Sequence, residues 1–568
     1  MTHLRPYALL AALLAAGCST TPAPSAVTAP AAKPVRPLPD NSLSSPLLYD
    51  LLSAEVAAQR GDFGFAATNY LRAAWDTRDP RVAKRATRLA LAARQQAQAL
   101  EATELWVELE PEDLEGRQIL AALLIRSGRA DDALPHLEAL LDASGDDTSE
   151  GFQTIVTLLS RESDKALALT LFDKLAQKRA ADPNAQFAHA QLSFLLGKVD
   201  VARAKLDTLL AQKPRWSKAL VLKATIERHQ GNLEAALASL KAAVAVAPED
   251  AGLRLSFARM LVDAQRFDAA RDEFEALQRQ MPDNMDITYA LGLLSLQLGN
   301  LDAAAAEFRR LLEAGHRTDE AAYALGQIAE NRQKPDEALR WYDAVAEGGN
   351  FLEAKLRAAG ILMRRDGLDA ARAYLQRLRA EAPEEQARLS LAEADLLRGA
   401  EKFPEAMAVL DAALTGAPDD FDLLYARAMV AERLDRLDLL ERDLRRILAA
   451  DPDNAQALNA LGYTLADRTA RHQEALELIQ KALAQKPDDP AINDSMGWAL
   501  FRLGRYPEAE QYLKKAAATM DDAEVAAHLG ELYWATGRKD EARQVWDQGL
   551  QHSPDDPIIN TVIKRLTQ

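Results

Sequence analysis

The side chains that most often carry out catalysis or bind metals are sparse in this chain. It contains a single cysteine, Cys18, and eight histidines that never lie close together in the sequence. One thiol cannot form an internal disulfide or a thiolate cluster, and histidines spread this widely do not match the spacing of metal ligands. The patterns G-x-x-x-x-G-K-S/T, H-E-x-x-H and G-x-S-x-G are also missing. We therefore expect no catalytic residues, no metal and no cofactor.

Side chains suited to binding another protein are concentrated in the last third of the chain. Aromatic residues recur there at similar intervals, with amides and charged groups between them. Rings supply contact area, while polar groups set the register of an extended peptide or a partner helix. The predicted protein-binding groove consists of Tyr425, Asn459, Tyr463, Asp494, Trp498, Phe501, Arg502 and Trp534. Packing of these rings between helices is the alternative, and the sequence leaves it open.

A basic patch contrasts with the acidic character of the whole chain, whose formal net charge is −17. Arg81, Lys84 and Arg88 share one face of a predicted helix. This face suits an acidic partner or an anionic polymer such as a glycan strand, and the alternative is local pairing with the acid-rich segment 101–110. The negative net charge argues against nucleic acid as a partner.

A repeat of about 34 residues must position these side chains. A small residue, which we call the marker, recurs five places after each turn glycine. Nine prolines fall twelve places after a marker, where they would end the second helix of a pair. The fifteen markers are Ala66, Ala99, Ala133, Ala166, Ala202, Ala236, Ala270, Ala304, Ala338, Ala371, Ala406, Leu440, Ala475, Ala509 and Ala542.

This period and residue pattern resemble the tetratricopeptide repeat (TPR). The resemblance implies an all-α superhelical solenoid of about fifteen helix-turn-helix units over residues 47–552, closed by a capping helix over residues 553–568. In that family the first helix of each unit lines a concave groove that binds proteins. A subtype grips peptide carboxylates with paired Lys and Asn residues. This chain has Asn459 and Asp494 at the matching places, without a basic pair, which argues against such a clamp.

The N-terminus carries features of export. Residues 1–18 contain Arg5 and an apolar run too short to span a bilayer, and they end at Cys18. The sequence Ala-Ala-Gly-Cys before Ser19 resembles the lipobox of bacterial lipoproteins, which implies a lipidated Cys18 and an outer-membrane anchor facing the periplasm. An ordinary cleaved signal peptide is the alternative. Residues 19–46 are rich in proline, alanine and serine, and we expect a disordered tether.

The segments beginning at residues 47 and 458 resemble one lineage of long proteobacterial TPR lipoproteins. That resemblance implies a scaffold or adaptor that binds other proteins, such as a periplasmic carboxy-terminal-processing protease and its cell-wall-hydrolase substrates. The alternative is a lipoprotein subunit of an assembly or secretion system for pili, exopolysaccharide or outer-membrane proteins. A separate catalytic domain is not expected, because the repeats run almost to the last residue.

Overall fold

A computed structural model describes residues 44–551 and 554–567. The signal peptide and lipidation site predicted for residues 1–18, and almost all of the tether predicted for 19–46, lie outside this part of the chain. The described residues contain helices and no strand, which confirms the predicted all-α class. The chain divides into two compact units, with the boundary between Arg310 and Leu311.

The first unit comprises eight helix pairs, the last of which extends a few residues past the boundary. Their order is α1 Ser45–Gln59, α2 Phe63–Thr77, α3 Pro80–Ala92, α4 Gln96–Leu109, α5 Leu114–Arg126, α6 Ala130–Asp142, α7 Ser149–Leu159, α8 Lys165–Gln177, α9 Pro183–Leu195, α10 Val199–Gln212, α11 Ser217–His229, α12 Leu233–Val246, α13 Ala251–Asp263, α14 Phe267–Gln280, α15 Met285–Gln297 and α16 Leu301–Glu313.

The second unit continues with seven pairs and a closing helix. Its helices are α17 Thr318–Asn331, α18 Pro335–Ala344, α19 Phe351–Asp366, α20 Leu368–Glu381, α21 Gln386–Gly399, α22 Phe403–Gly416, α23 Phe421–Arg433, α24 Leu437–Ala450, α25 Ala455–Arg468, α26 His472–Gln485, α27 Pro490–Arg502, α28 Tyr506–Ala517, α29 Ala523–Ala535, α30 Lys539–Leu550 and α31 Pro557–Thr567. Within the described residues, the expected fifteen pairs and the C-terminal helix are therefore present.

Local sequence explains where the helices begin and end. Pro80 and Pro490 open α3 and α27, where a missing N–H costs little. Aspartate side chains cap many first helices; Asp489, for example, accepts hydrogen bonds from the backbone N–H groups of Ala491 and Ile492. The second helices end just before the proline column, as α12 does ahead of Pro248.

Each pair is held together by small residues and a bulky one. Fourteen of the fifteen predicted markers are buried. In five pairs the residue four places after the marker packs against a glycine in the first helix of its own pair: Phe308 on Gly292, Tyr342 on Gly326, Ile479 on Gly462, Leu513 on Gly497 and Trp546 on Gly530. A Cβ on Gly530 would lie 2.0 Å from the indole nitrogen of Trp546.

The fourth pair departs from the predicted register. Ala166 is exposed, whereas Ala168 is completely buried and takes the place of the marker. Helices α7 and α8 also pack less closely on each other than the helices of the other pairs, and α7 packs mainly on α9. The marker assignment was therefore wrong in this unit, because the Ala-rich sequence offers several small residues at neighbouring positions.

Candidate functional site

Four of the predicted groove residues line one cavity of about 210 Å³ in the second unit. Tyr425 is on α23, Asn459 and Tyr463 are on α25, and Asp494 is on α27, so three successive first helices form the walls. Met520 and the start of α29 close the cavity at one end. The 34-residue period brings these side chains together because it places equivalent helix faces side by side.

Carboxylates dominate the polar lining of this cavity, which we call the acidic cavity. They are Glu432, Asp494, Asp522 and Glu524, and no lysine or arginine lines the cavity with them. The hydroxyl of Tyr463 donates a hydrogen bond to Glu524. Burial, and then the charge of Glu524, raise the pKa of Glu432. The amide oxygen of Asn459 is buried and has no hydrogen-bond partner among the described residues.

A buried ion pair lies behind the acidic cavity. Nδ1 of His528 is 3.0 Å from one carboxylate oxygen of Asp494 and 3.1 Å from the other. Burial by itself lowers the pKa of His528, but the carboxylates of Asp494, Glu524 and Asp467 outweigh it and raise the pKa overall. The pair fixes Asp494 in the cavity wall and joins α27 to α29.

Trp498 belongs to the support of this site rather than to its open surface. Its side chain is only 5% exposed. The indole stacks on His528 at a centroid distance of 4.1 Å and on Phe501 at 5.0 Å. Its N–H donates to Asp467 at 3.2 Å. Packing between helices, the alternative left open by the sequence, therefore describes Trp498.

Phe501, Arg502 and Trp534 do not line the acidic cavity. Arg502 donates to the backbone oxygen of Asp467 at 2.9 Å and lies over the Trp498 ring. Trp534 is half-buried, with Lys539 Nζ 4.8 Å from its ring centroid. These three side chains are partly accessible, and their role in binding stays a prediction.

Sequence reasoning missed three residues of this region. Glu432 and Glu524 lie on first helices, eight and eighteen places before the markers Leu440 and Ala542, and in TPR proteins these two columns face the groove. The repeat pattern could therefore have identified both residues as part of the groove. His528 lies outside those columns, and only the packing of α27 on α29 reveals its contact with Asp494.

All three members of the basic patch pair with local carboxylates. Glu115 accepts hydrogen bonds from Lys84 at 2.5 Å and from Arg88 at 3.0 Å, and Arg81 pairs with Asp79 at 2.6 Å. Lys84, and then Arg88, hold the pKa of Glu115 below its ordinary range. This geometry favours the local-pairing alternative, although the partners are Asp79 and Glu115 rather than segment 101–110.

Two further searches concern the described residues alone. In residues 44–551 and 554–567, no group of three or more His, Cys, Asp and Glu side chains has an arrangement that could hold a metal ion. Over the same ranges, every helix is either too short or too polar to cross a bilayer.

Comparisons with known proteins point to one family. A family model of the tetratricopeptide repeat matches residues 468–527 and 500–566. A second tetratricopeptide-repeat model matches residues 187–252, 255–316, 289–353, 391–439 and 441–490. The TPR repeat-containing protein PA4667 of Pseudomonas aeruginosa is 37% identical over 526 residues, which cover 93% of this chain and 89% of that protein.

Solved structures with a detectable likeness are more distant. A TPR protein of Thermus thermophilus, TTC0263, is 22% identical, with 32% of this chain and 98% of that chain covered and a TM-score of 0.30. A chain of the APC/C hetero-tetramer Cut9-Hcn1 is 16% identical, with coverage of 92% and 97% and a TM-score of 0.34.

Proposed function

The chain belongs to the tetratricopeptide-repeat family, and we propose that it is an envelope scaffold that binds segments of other proteins in the groove of its second unit. TPR proteins bind other proteins and are typically non-catalytic. The observation that carries the proposal is the acidic cavity, because it is open, lies on three successive first helices and contains four of the residues predicted from the repeat.

The charge of the acidic cavity narrows the choice of bound segment. His528 compensates Asp494 and the pKa of Glu432 is raised, but Asp522 and Glu524 line the cavity with no lysine or arginine among the lining residues. The resulting negative potential repels an acidic segment or a free peptide carboxylate. The site thus has the opposite polarity to a carboxylate clamp. Neutral or basic segments are compatible with it, and the ring of Tyr425 adds contact area.

An adaptor also needs a second surface, and α1 offers one. Leu48, Tyr49, Leu52 and Val56 are exposed on this helix, with Tyr49 at 69% and Leu52 at 59%. Helices that carry apolar residues all round are normally buried all round. An apolar face that remains exposed, as on α1, is typical of an interaction site. We propose that α1 docks one partner while the groove holds another.

We further propose that Cys18 is lipidated and anchors the protein in the outer membrane, facing the periplasm. The support is the sequence alone: an apolar run that ends at the single cysteine. Cys18→Ala should remove the acyl mass and release the protein from the outer-membrane fraction. An intact mass that differs only by the side-chain substitution, with unchanged fractionation, would refute the anchor without affecting the groove.

The partners that we propose are a periplasmic carboxy-terminal-processing protease and cell-wall hydrolases presented to it. The support is the resemblance of the N-terminal and late segments to adaptor lipoproteins of that kind. Cross-linking in cells, followed by mass spectrometry, tests this choice. Recovery of pilus, exopolysaccharide or outer-membrane assembly components instead would favour the alternative role as a subunit of such a system.

Matched variants separate the two surfaces in the same experiment. Leu52→Glu should abolish one set of cross-links, whereas Leu195→Glu, at a leucine of similar exposure, should leave them unchanged. Glu524→Lys should remove the groove partner, and the exposed Glu477→Lys is its control. If neither Leu52→Glu nor Glu524→Lys alters any cross-link, the proposed scaffold surfaces are wrong.

A further inference from the structure

The first unit contains a larger cavity that the proposed function does not use. Its volume is about 570 Å³, and it is lined by residues of α7, α9, α11 and the start of α13. Phe152 lines its base and is almost completely buried. We call this space the N-terminal cavity.

An aromatic pair and free amides give the N-terminal cavity its chemistry. The rings of Phe187 and Trp216 are half-buried, 5.4 Å apart at their centroids and tilted by 35°. The side-chain amides of Gln153 and Gln191 line the cavity, and neither bonds to another described residue. Rings next to free amides suit a proline-rich segment, because proline packs on aromatic rings and the segment's exposed carbonyls accept hydrogen bonds.

We propose that this cavity docks the proline-rich stretch of the same chain at residues 22–34, whose sequence is PAPSAVTAPAAKP. The stretch carries one charge, that of Lys33. The cavity is lined by the carboxylates of Glu150 and Asp250 and one ammonium, Lys218, so the charges are complementary.

The chain is long enough to make this contact. Residues 22–34 precede Ser44, the first described residue, by 10 to 22 positions, and at about 3.1 Å per residue the greatest reach of such a stretch is about 31–68 Å. Four steps between neighbouring first helices separate α1 from α9, or at most about 40 Å at about 10 Å each. Both ends of the path lie in the first unit.

Weak docking is sufficient, because the segment is tethered. A short tether gives an effective concentration in the millimolar range, so a Kd of about 1 mM already occupies the cavity about half of the time. Docking would shorten the free tether and hold the first unit close to residue 18. A partner that displaced the segment would lengthen the reach of the scaffold.

Photo-cross-linking of the full-length protein in detergent tests the proposal. With Thr28 replaced by benzoylphenylalanine, we expect intramolecular cross-links mainly to peptides containing Gln153, Phe187 or Trp216, at a yield independent of protein concentration. Cross-links spread over the surface, or a yield that rises with concentration, would overturn docking within one chain.

Two variants test whether the cross-links depend on the N-terminal cavity. Trp216→Ala should lower the yield at least fivefold. Because that ring is half-buried, the exposed Glu150→Lys provides a second variant, expected to lower the yield about threefold in low salt and less in high salt. The exposed Glu112→Lys is the control. An unchanged yield in Glu150→Lys and in a correctly folded Trp216→Ala would refute the cavity as the docking site.

A competing peptide tests the selectivity for proline. An excess of the synthetic peptide of residues 22–34 should abolish the cross-links, whereas a version with its four prolines changed to serine should compete at least tenfold less well. Equal competition by both peptides would overturn the proposal. The groove variant Glu524→Lys and its control Glu477→Lys should leave these yields unchanged, so this test is independent of the proposed scaffold function.

Discussion

Replacement of Trp498 by alanine distinguishes a packing role from a contact role for the most buried aromatic residue of the predicted groove. The substitution removes an indole that is 5% exposed, its stacking on His528 and Phe501, and its hydrogen bond to Asp467. Large-to-small changes of this kind in a core cost about 3–5 kcal/mol. We therefore expect Trp498→Ala to destabilise α27 and its neighbours by that amount.

Hydrogen exchange is the appropriate assay, because repeat arrays couple mainly to their neighbours and do not unfold as a single two-state domain. A loss of 3–5 kcal/mol corresponds to exchange that is faster by roughly two to three and a half orders of magnitude. We expect this acceleration in α25 to α29, with α1 to α6 unchanged as an internal reference.

Two matched variants calibrate the result. Trp75 is 44% exposed and its N–H donates to Glu101 at 2.9 Å, so Trp75→Ala should cost less than about 1 kcal/mol. Trp498→Phe keeps a ring against His528 but loses the hydrogen bond, which should cost about 1–2 kcal/mol. If Trp498→Ala leaves exchange within threefold of the unmodified protein while partner recovery falls tenfold, the ring is an accessible anchor and its assignment to the packing is wrong.

Two other predictions concern packing and pH. Gly530→Ala should destabilise α29 by about 1–3 kcal/mol, because the added Cβ would strike the buried Trp546 ring. Gly360→Ala is the control: no atom lies nearer than 3.6 Å to its added Cβ, and the substitution should stabilise α19 by up to about 1 kcal/mol. Equal shifts of the two variants in urea unfolding would refute the ring contact. The pKa of His528 is raised in the folded protein, so protonation of this residue stabilises the fold. The stabilisation is complete below the unfolded-state pKa of about 6.5, and it should be lost as the pH rises through the folded-state pKa. Asp494→Asn should flatten that dependence in exchange measured from pH 6 to 9, and an unchanged slope would contradict the ion pair.

The positions of the helices were largely predictable from the sequence, because each repeat unit is specified by residues that lie close together along the chain. Its turn glycine, marker and terminal proline lie within one stretch of chain, so they specify a helix pair without reference to distant residues. The fourth pair shows the limit of this reasoning. Several small residues compete for the marker position there, and burial selects Ala168 over Ala166.

The acidic cavity was predictable in part. Counting from the markers places Tyr425 and Asp494 on the groove side, and both line the cavity. The same count cannot tell an open ring from a covered one, because Trp498 is buried by His528 of the following unit.

The sequence by itself determined the repeat, the helix boundaries and the acidic character of the chain, since each follows from local spacing or from a sum over residues. Only the tertiary structure decided which of these side chains remain available to a partner. Lys84 and Arg88 are basic in the sequence, but the carboxylate of Glu115 on a later helix pairs with both of them. Whether a side chain is available to a partner depends on which residues of the neighbouring unit pack against it. Those contacts form between helices rather than along the chain.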